Sequence, residues 1–222
     1  MGVIGESVCV LMAESYPKGS DPSNPDTVRT VQGTAVFITA THIITAGHNL
    51  DLRRNARHNF NKRRDVNFLI SFPGMKDFDF GRAISGKMHT VKCKVLGCNY
   101  VKGNVVWDPV NDTAILETGF VCPSWVQLTR DLPTSEAVVD VLGYPGTIGN
   151  DFVMKHPEFE LKVKEGKEVA GALLPEWKLV VSRGKIQSVG DTVSYKLSTC
   201  PGMSGGCVVY KGKVIGAVKP RP

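Results

Sequence analysis

The chain has 222 residues, of which 42% are hydrophobic, and a formal net charge of +6; these values suit a globular protein with a sizeable core. No run of about 18 apolar residues is present, which argues against a membrane-spanning helix. The 23 glycines and 13 prolines favour short strands and turns over a helical bundle. We therefore expect an all-β protein without a membrane partner.

The first part of the chain is a series of strand-like segments that ends at a histidine. β-forming residues fill 3–12, where we expect an opening strand, and residues 13–30 have the polar, Pro-containing composition typical of a loop. Two further runs, 31–38 and 41–44, predict a hairpin. It ends just before His48, so we expect this side chain near a strand end.

A basic segment, 51–65, follows His48 directly. It contains Arg53, Arg54, Arg57, Lys62, Arg63 and Arg64 against Asp51 and Asp65. Such a segment attracts acidic substrates or nucleic acid through its charge, but Phe60 alone would stack on a base. We favour a solvated loop and keep a nucleic-acid-binding module as an alternative function.

An aspartate enters the next strongly apolar run. Strand-like segments lie at 66–72, 78–80 and 89–95. Residues 101–110 then lead to Asp112, which directly precedes Thr-Ala-Ile-Leu. That run would anchor the aspartate at the edge of a core. We therefore prefer Asp112 to the nearby Asp108 as the functional acid.

The second part of the chain begins after a connection at 120–132. Segment 158–169 alternates charged and apolar residues and predicts either a hairpin or a short helix. The other strand-like runs lie at 137–143, 178–181, 184–188, 193–197, 207–211 and 213–218.

Residues 201–206, Pro-Gly-Met-Ser-Gly-Gly, place a serine inside a glycine cluster. Gly202 adopts positive φ at low cost, and such a turn would direct the amides of Gly202 and Ser204 into one small space, as an oxyanion requires. Met203 would show its backbone to this space and its side chain to the leaving-group side. An ordinary turn between two strands explains the same glycines.

Three motifs occur in the order His, Asp, Ser that a nucleophilic site needs. T-A-G-H ending at His48, N-D-T-A-I-L around Asp112 and P-G-M-S-G-G around Ser204 resemble T-A-A-H, D-I-A-L and G-D-S-G-G of chymotrypsin-like (trypsin-like) serine peptidases. The G-Y-P segment at 143–145 is similar to that of their glutamyl endopeptidase-like branch. The resemblance extends over residues 30–219.

This resemblance implies a two-barrel, chymotrypsin-like serine endopeptidase with the active site in the cleft between barrels 1–122 and 123–222. It acts on a protein or peptide, and a catalytically inactive module that binds a peptide or protein partner is the alternative. The implied site residues are His48, Asp112 and Ser204 for catalysis, Gly202 and Ser204 for the oxyanion hole, and Ser198, Thr199 and Val218 for the substrate pocket.

The six cysteines depart from the disulfide pattern of secreted members of this family. Asn49 follows the histidine where such enzymes place a cysteine, and Cys200 lacks its usual partner. No C-x-x-C pair or histidine cluster supports a metal, so we expect free thiols, no metal and no cofactor. Residues 1–7 lack the features of a secretory signal, which fits a cytoplasmic or viral setting.

Both ends of the chain carry an expectation. Val3-Ile4-Gly5 resembles the freed N-terminus of activated members of the family, which predicts a processing step that removes residues 1 and 2. Family members usually add a last strand and a helix after the segment matching 214–219. We therefore expect either a different closure of the second barrel or a domain of a longer, multidomain chain.

Overall fold

The structure is a computed structural model. It describes residues 2–17, 19, 29–50, 64–71, 91–97, 99–101, 104–106, 112–119, 121–145, 179–190, 193–196, 199 and 202–218. The elements within these ranges are helix α1 (Gly2–Glu6), a 3₁₀ turn (Gly47–Leu50), and strands β1 (Val8–Pro17), β2 (Arg29–Phe37), β3 (His42–Ala46), β4 (Arg64–Ser71), β5 (Val91–Gly97), β6 (Asn99–Val101), β7 (Asn104–Val106), β8 (Thr113–Thr118), β9 (Val138–Gly143), β10 (Val180–Val189), β11 (Val193–Lys196), β12 (Cys207–Tyr210) and β13 (Lys213–Ala217).

Six strands close into a barrel in the order β1-β2-β3-β8-β5-β4. The first six residues of β1, 8–13, are apolar on both faces because both faces are covered. Cys9, Leu11 and Ala13 belong to the core of the barrel. Val8, Val10 and Met12 belong to a second cluster, which packs the barrel against the rest of the molecule.

The second sheet is antiparallel and five-stranded, in the order β11-β10-β9-β12-β13. Its own core includes Val139, Val141, Ile186 and Val208. The connection from the barrel ties the two units together, because Val126 N donates to Phe37 O of the barrel at 2.9 Å. Thr129 N then donates to Val214 O, on the edge strand of the second sheet, at 3.0 Å.

The N-terminal expectations were wrong in part. Residues 2–6 form α1, and β1 begins at Val8 and continues to Pro17, through residues expected in a loop. Pairing explains the extension, because β1 hydrogen-bonds to β2 on one side and β4 on the other, as far as Pro17 opposite Arg64. Tertiary pairing therefore outweighs the weak strand propensity of a polar segment.

The other strand predictions that fall on described residues agree in position with the observed strands, except that 178–181 and 184–188 are parts of one strand, β10. The short antiparallel pair β6–β7 was not predicted, and segment 78–80 lies outside the described residues.

Residues 51–63 of the basic segment and segment 158–169 lie outside the described residues. The last two residues of the basic segment, Arg64 and Asp65, begin strand β4 and do not belong to a loop. In the part of the chain that is described, no helix has the length and apolar character needed to cross a bilayer.

Candidate active site

His48 and Asp112 meet because they flank two paired strands. The 3₁₀ turn Gly47–Leu50, here called the histidine turn, follows β3, and Asp112 precedes β8. Strands β3 and β8 are antiparallel neighbours with Ala46 opposite Thr113. The end of one strand therefore lies beside the start of the other, although 64 residues separate them in sequence.

Three hydrogen bonds hold Asp112 against the histidine turn. Its carboxylate accepts from the His48 backbone N at 2.8 Å and from His48 Nδ1 at 2.8 Å, and its carbonyl accepts from Gly47 N at 3.0 Å. The Asp112 side chain is 2% exposed and the His48 side chain 13%. An ionised carboxylate only accepts, so Nδ1 carries a proton in this bond, and in the neutral form of the ring the lone pair then lies on Nε2.

Ser204 lies in a glycine-rich turn, residues 202–206, here called the serine loop. Gly202 and Gly205 have φ of +90° and +86°, conformations that favour glycine. A Cβ at Gly205 would overlap Thr34 O and Thr45 Oγ1. Glycine is therefore required at Gly205 by backbone conformation and by contact with the barrel.

The barrel holds the serine loop through Thr34 and Asn49. Thr34 N and Asn49 Nδ2 each donate to Ser204 O at 2.8 Å, and Thr34 Oγ1 donates to Gly202 O at 2.8 Å. Asn49 is the residue after His48. The structure thus brings the serine loop and the histidine turn together from opposite ends of the chain.

The substrate-pocket residues are only partly described. Thr199 is half-buried, and Ser198 lies outside the described residues. Val218 is buried in the core of the second sheet. Its backbone accepts from Gly205 N at 2.9 Å and donates to Gly206 O at 2.7 Å, so it borders the serine loop.

The expectation for Met203 was wrong. Its side chain is fully buried in the core of the second sheet instead of lining the leaving-group side. Gly143 makes the room, because a Cβ there would lie 3.1 Å from the Met203 Cβ. Met203 therefore anchors the serine loop to β9.

The cysteines with described side chains, Cys9, Cys122 and Cys207, carry thiols and form no disulfide. Burial raises the pKa of Cys207, just after the serine loop, to about 12. A thiol with this pKa stays protonated near neutrality and is a poor nucleophile. No group of three or more His, Cys, Asp or Glu in the described ranges is placed to hold a metal ion.

Sequence reasoning missed Thr34 and the role of Asn49. Thr34 is buried on strand β2 of the barrel, and its hydroxyl also accepts from Tyr144 N at 2.9 Å. A threonine in an apolar strand gives no signal of a distant partner. For Asn49 the sequence does contain a signal, because the resemblance places a cysteine at this position.

No protein-family model matches the sequence, and no curated protein matches it significantly. Solved structures do match. The active form of the Rv3671c protease from M. tuberculosis is 16% identical, with a TM-score of 0.51, and the alignment covers 97% of this chain and 70% of that one. A mutant of Rv3671c in an inactive form is 15% identical, with a TM-score of 0.51 over 98% of this chain and 79% of that one.

The serine endoprotease from Yersinia pestis is 14% identical, with a TM-score of 0.52, over 97% of this chain and 54% of that one. This chain has the fold of these serine proteases. The two-barrel, chymotrypsin-like fold expected from the sequence is thereby confirmed. The likeness concerns the fold alone, and the glutamyl endopeptidase-like branch stays a prediction.

Proposed function

We propose that this chain is a serine endopeptidase that hydrolyses peptide bonds with His48, Asp112 and Ser204. The main support is the His48–Asp112 pair, joined through both the ring and the backbone at 2.8 Å. An imidazole oriented by a buried carboxylate is what a serine nucleophile needs as its base. The fold shared with serine proteases adds to this support.

In the proposed mechanism, Ser204 Oγ attacks the carbonyl carbon of the scissile bond. His48 Nε2 takes the hydroxyl proton and delivers it to the leaving amine, which gives an acyl-enzyme. Water then attacks the ester, and His48 acts as base again. Asp112 keeps the proton on Nδ1 and stabilises the imidazolium that forms in each step.

The oxyanion hole in this proposal consists of the backbone amides of Gly202 and Ser204. Gly202 O accepts from Thr34 Oγ1, and Ser204 O accepts from Thr34 N, each at 2.8 Å. These bonds fix both residues before substrate arrives. Loss of one such donor typically costs about 3 kcal/mol of transition-state stabilisation, so this fixed geometry matters for the rate.

The proposed substrate is a protein or peptide whose specificity side chain enters a pocket bordered by Ser198, Thr199 and Val218. No carboxylate stands among these residues to bind a lysine or arginine. Val218 also offers no charge to an acidic side chain. We therefore propose a preference for a small or apolar residue, to be checked by profiling cleavage of a peptide library.

The decisive test is labelling by a fluorophosphonate probe, which requires an activated serine. We expect the wild type to be labelled at Ser204 and to cleave peptides, whereas Ser204→Ala is neither labelled nor active. His48→Ala should lose labelling while its Ser204 remains. A wild type that binds peptides without labelling or turnover would instead be the catalytically inactive module.

A further inference from the structure

Asn49 makes a contact that the proposed mechanism does not use. It follows His48 in the histidine turn and is 3% exposed. Its Nδ2 lies 2.8 Å from Ser204 O and 3.0 Å from Thr45 Oγ1. A buried side-chain amide with two short hydrogen bonds is held in one orientation.

The partners determine which way the Asn49 amide faces. Ser204 O is a carbonyl and only accepts, and the Thr45 hydroxyl already donates its hydrogen to Thr34 O at 2.7 Å. Both neighbours therefore need a donor, so the NH₂ group faces them. Thr34 N also donates to Ser204 O, which closes a ring of four hydrogen bonds through Asn49, Thr45, Thr34 and Ser204.

Gly33 makes room for this ring. A Cβ at Gly33 would overlap the side-chain amide of Asn49. Gly33 lies within β2, opposite Leu11, and is not among the glycines with positive φ. Its backbone conformation therefore does not require glycine. Glycine is required at this position because the Asn49 amide occupies the space that a Cβ would need.

We propose that Asn49 is a positioning residue that holds the nucleophilic serine against the histidine turn. Its amide fixes the carbonyl of the residue whose hydroxyl must meet His48. It stands where the resemblance places a cysteine, and its two hydrogen bonds join the histidine turn to the serine loop and to Thr45 of β3. This inference rests on the proposed serine-peptidase function.

The first test compares Asn49→Leu with wild type. Leucine has the same number of side-chain heavy atoms as asparagine but donates no hydrogen bond. We expect kcat and the rate of fluorophosphonate labelling to fall on the order of tenfold to a hundredfold, because the attacking group is less well positioned. KM should change little. The pH profile of kcat/KM should keep its midpoint, because Asn49 contacts a backbone carbonyl and not the imidazole.

Thr118→Val is the matched control. It removes a buried hydroxyl that donates to Thr41 O at 3.3 Å in the same barrel, away from the serine loop. It should unfold at a lower temperature than wild type but keep its kcat. If Asn49→Leu keeps the wild-type kcat and labelling rate, or if Thr118→Val loses as much of both, the positioning role is refuted.

The second test uses Gly33→Ala. The added methyl group displaces the Asn49 amide while residue 49 remains asparagine. This variant also tests the proposal if Asn49→Leu does not fold. We expect kcat to fall in the wild-type background and to change less in an Asn49→Ala background, where the alanine at Gly33 has room. Equal losses in the two backgrounds would show that Gly33 does not act through Asn49.

Hydrogen exchange tests the contact without catalysis. Gly205 N and Gly206 N each donate a 2.9 Å bond within or beside the serine loop. Their exchange should accelerate in Asn49→Leu but not in Thr118→Val, while β10 is unchanged. An inert wild type would refute the proposed function, whereas unaltered exchange in Asn49→Leu would refute the positioning role by itself.

Discussion

At the scale of single residues, Thr34 joins the barrel to the rest of the site. Its hydroxyl donates to Gly202 O at 2.8 Å and accepts from Tyr144 N at 2.9 Å. Its backbone N donates to Ser204 O at 2.8 Å. One buried side chain therefore satisfies polar groups on two segments of the second sheet, and an apolar residue would leave both without this partner.

Thr34→Val tests the role of the hydroxyl. Valine keeps the shape and the backbone N–H but removes both side-chain bonds, so we expect a loss of about 1–3 kcal/mol in the free energy of unfolding. The kcat for peptide hydrolysis should also fall, because the Gly202 carbonyl is released. Urea denaturation and steady-state kinetics give the two values. Thr34→Ser keeps the hydroxyl and is the control; equal results for both variants would contradict this account.

Asp112→Asn tests the orientation of His48. The asparagine amide has the shape of the carboxylate, but its NH₂ group cannot accept a hydrogen bond from His48 Nδ1. The ring proton then moves to Nε2, which can no longer act as the base. We expect kcat to fall by about 10⁴-fold with little loss of folded structure. Asp140→Asn makes the same chemical change at a carboxylate that binds Arg183 Nε at 2.7 Å on the second sheet. That control should keep its activity; comparable losses would remove Asp112 from the mechanism.

At the scale of elements, contacts with the barrel fix the conformation of the serine loop. Gly205 has φ of +86°, and a Cβ there would overlap Thr34 O and Thr45 Oγ1 and lie 2.8 Å from Ala46 N. The serine loop therefore packs directly against strands β2 and β3. It cannot move toward these strands unless they separate and the barrel opens.

Gly205→Ala should therefore cost far more than an alanine in a free turn. We expect a loss of at least about 3 kcal/mol in the free energy of unfolding, from backbone strain and overlap together. Gly212→Ala is the control, since Gly212 has φ of +76° in the β12–β13 turn, but a Cβ there would meet no atom within 4 Å. It should cost about 1 kcal/mol. Similar unfolding midpoints for the two variants would show that contact with the barrel is unimportant.

The elements also show what sequence can and cannot predict. Short apolar runs locate the strands because burial selects them, and the motifs around His48 and Asp112 predict the pair that the structure brings together. The strand beyond Ala13 was missed because its polar residues are ordered by pairing on both sides. The burial of Met203 depends on the absence of a side chain at Gly143, which no local pattern reveals.

At the scale of the molecule, the two halves share one apolar cluster. It combines Val8, Val10, Met12, Val36 and Leu69 from the barrel, Val126 from the connection, and Leu142, Tyr144, Cys207, Val209 and Val214 from the second part of the chain. The candidate site lies across the same junction, since Thr34 and Asn49 reach the serine loop from the barrel. Loss of this cluster would therefore remove the site as well as the packing.

We expect a buried thiol and a partly buried tyrosine in the second part of the chain to make the stability of the molecule sensitive to alkali. Burial raises the pKa of Cys207 from 9.0 to about 12, and that of Tyr195 from 10.0 to about 12. The unfolded chain loses these protons at lower pH than the folded one. The folded state therefore holds more protons between about pH 9 and pH 12, and stability falls as pH rises through this window.

We expect the free energy of unfolding to be level near neutrality and to decrease above about pH 9, by about 1.4 kcal/mol per pH unit for each proton retained. Urea denaturation at a series of pH values measures the slope. Cys207→Ala should be less stable at pH 7, because a buried side chain is truncated, yet lose stability less steeply above pH 9. Tyr195→Phe should likewise flatten the curve, but only from about pH 10, where an unfolded tyrosine begins to ionise. If the free energy of unfolding of the wild type stays level up to pH 11, water must reach the Cys207 thiol. The packing beneath the serine loop would then be looser than the burial of its side chains indicates.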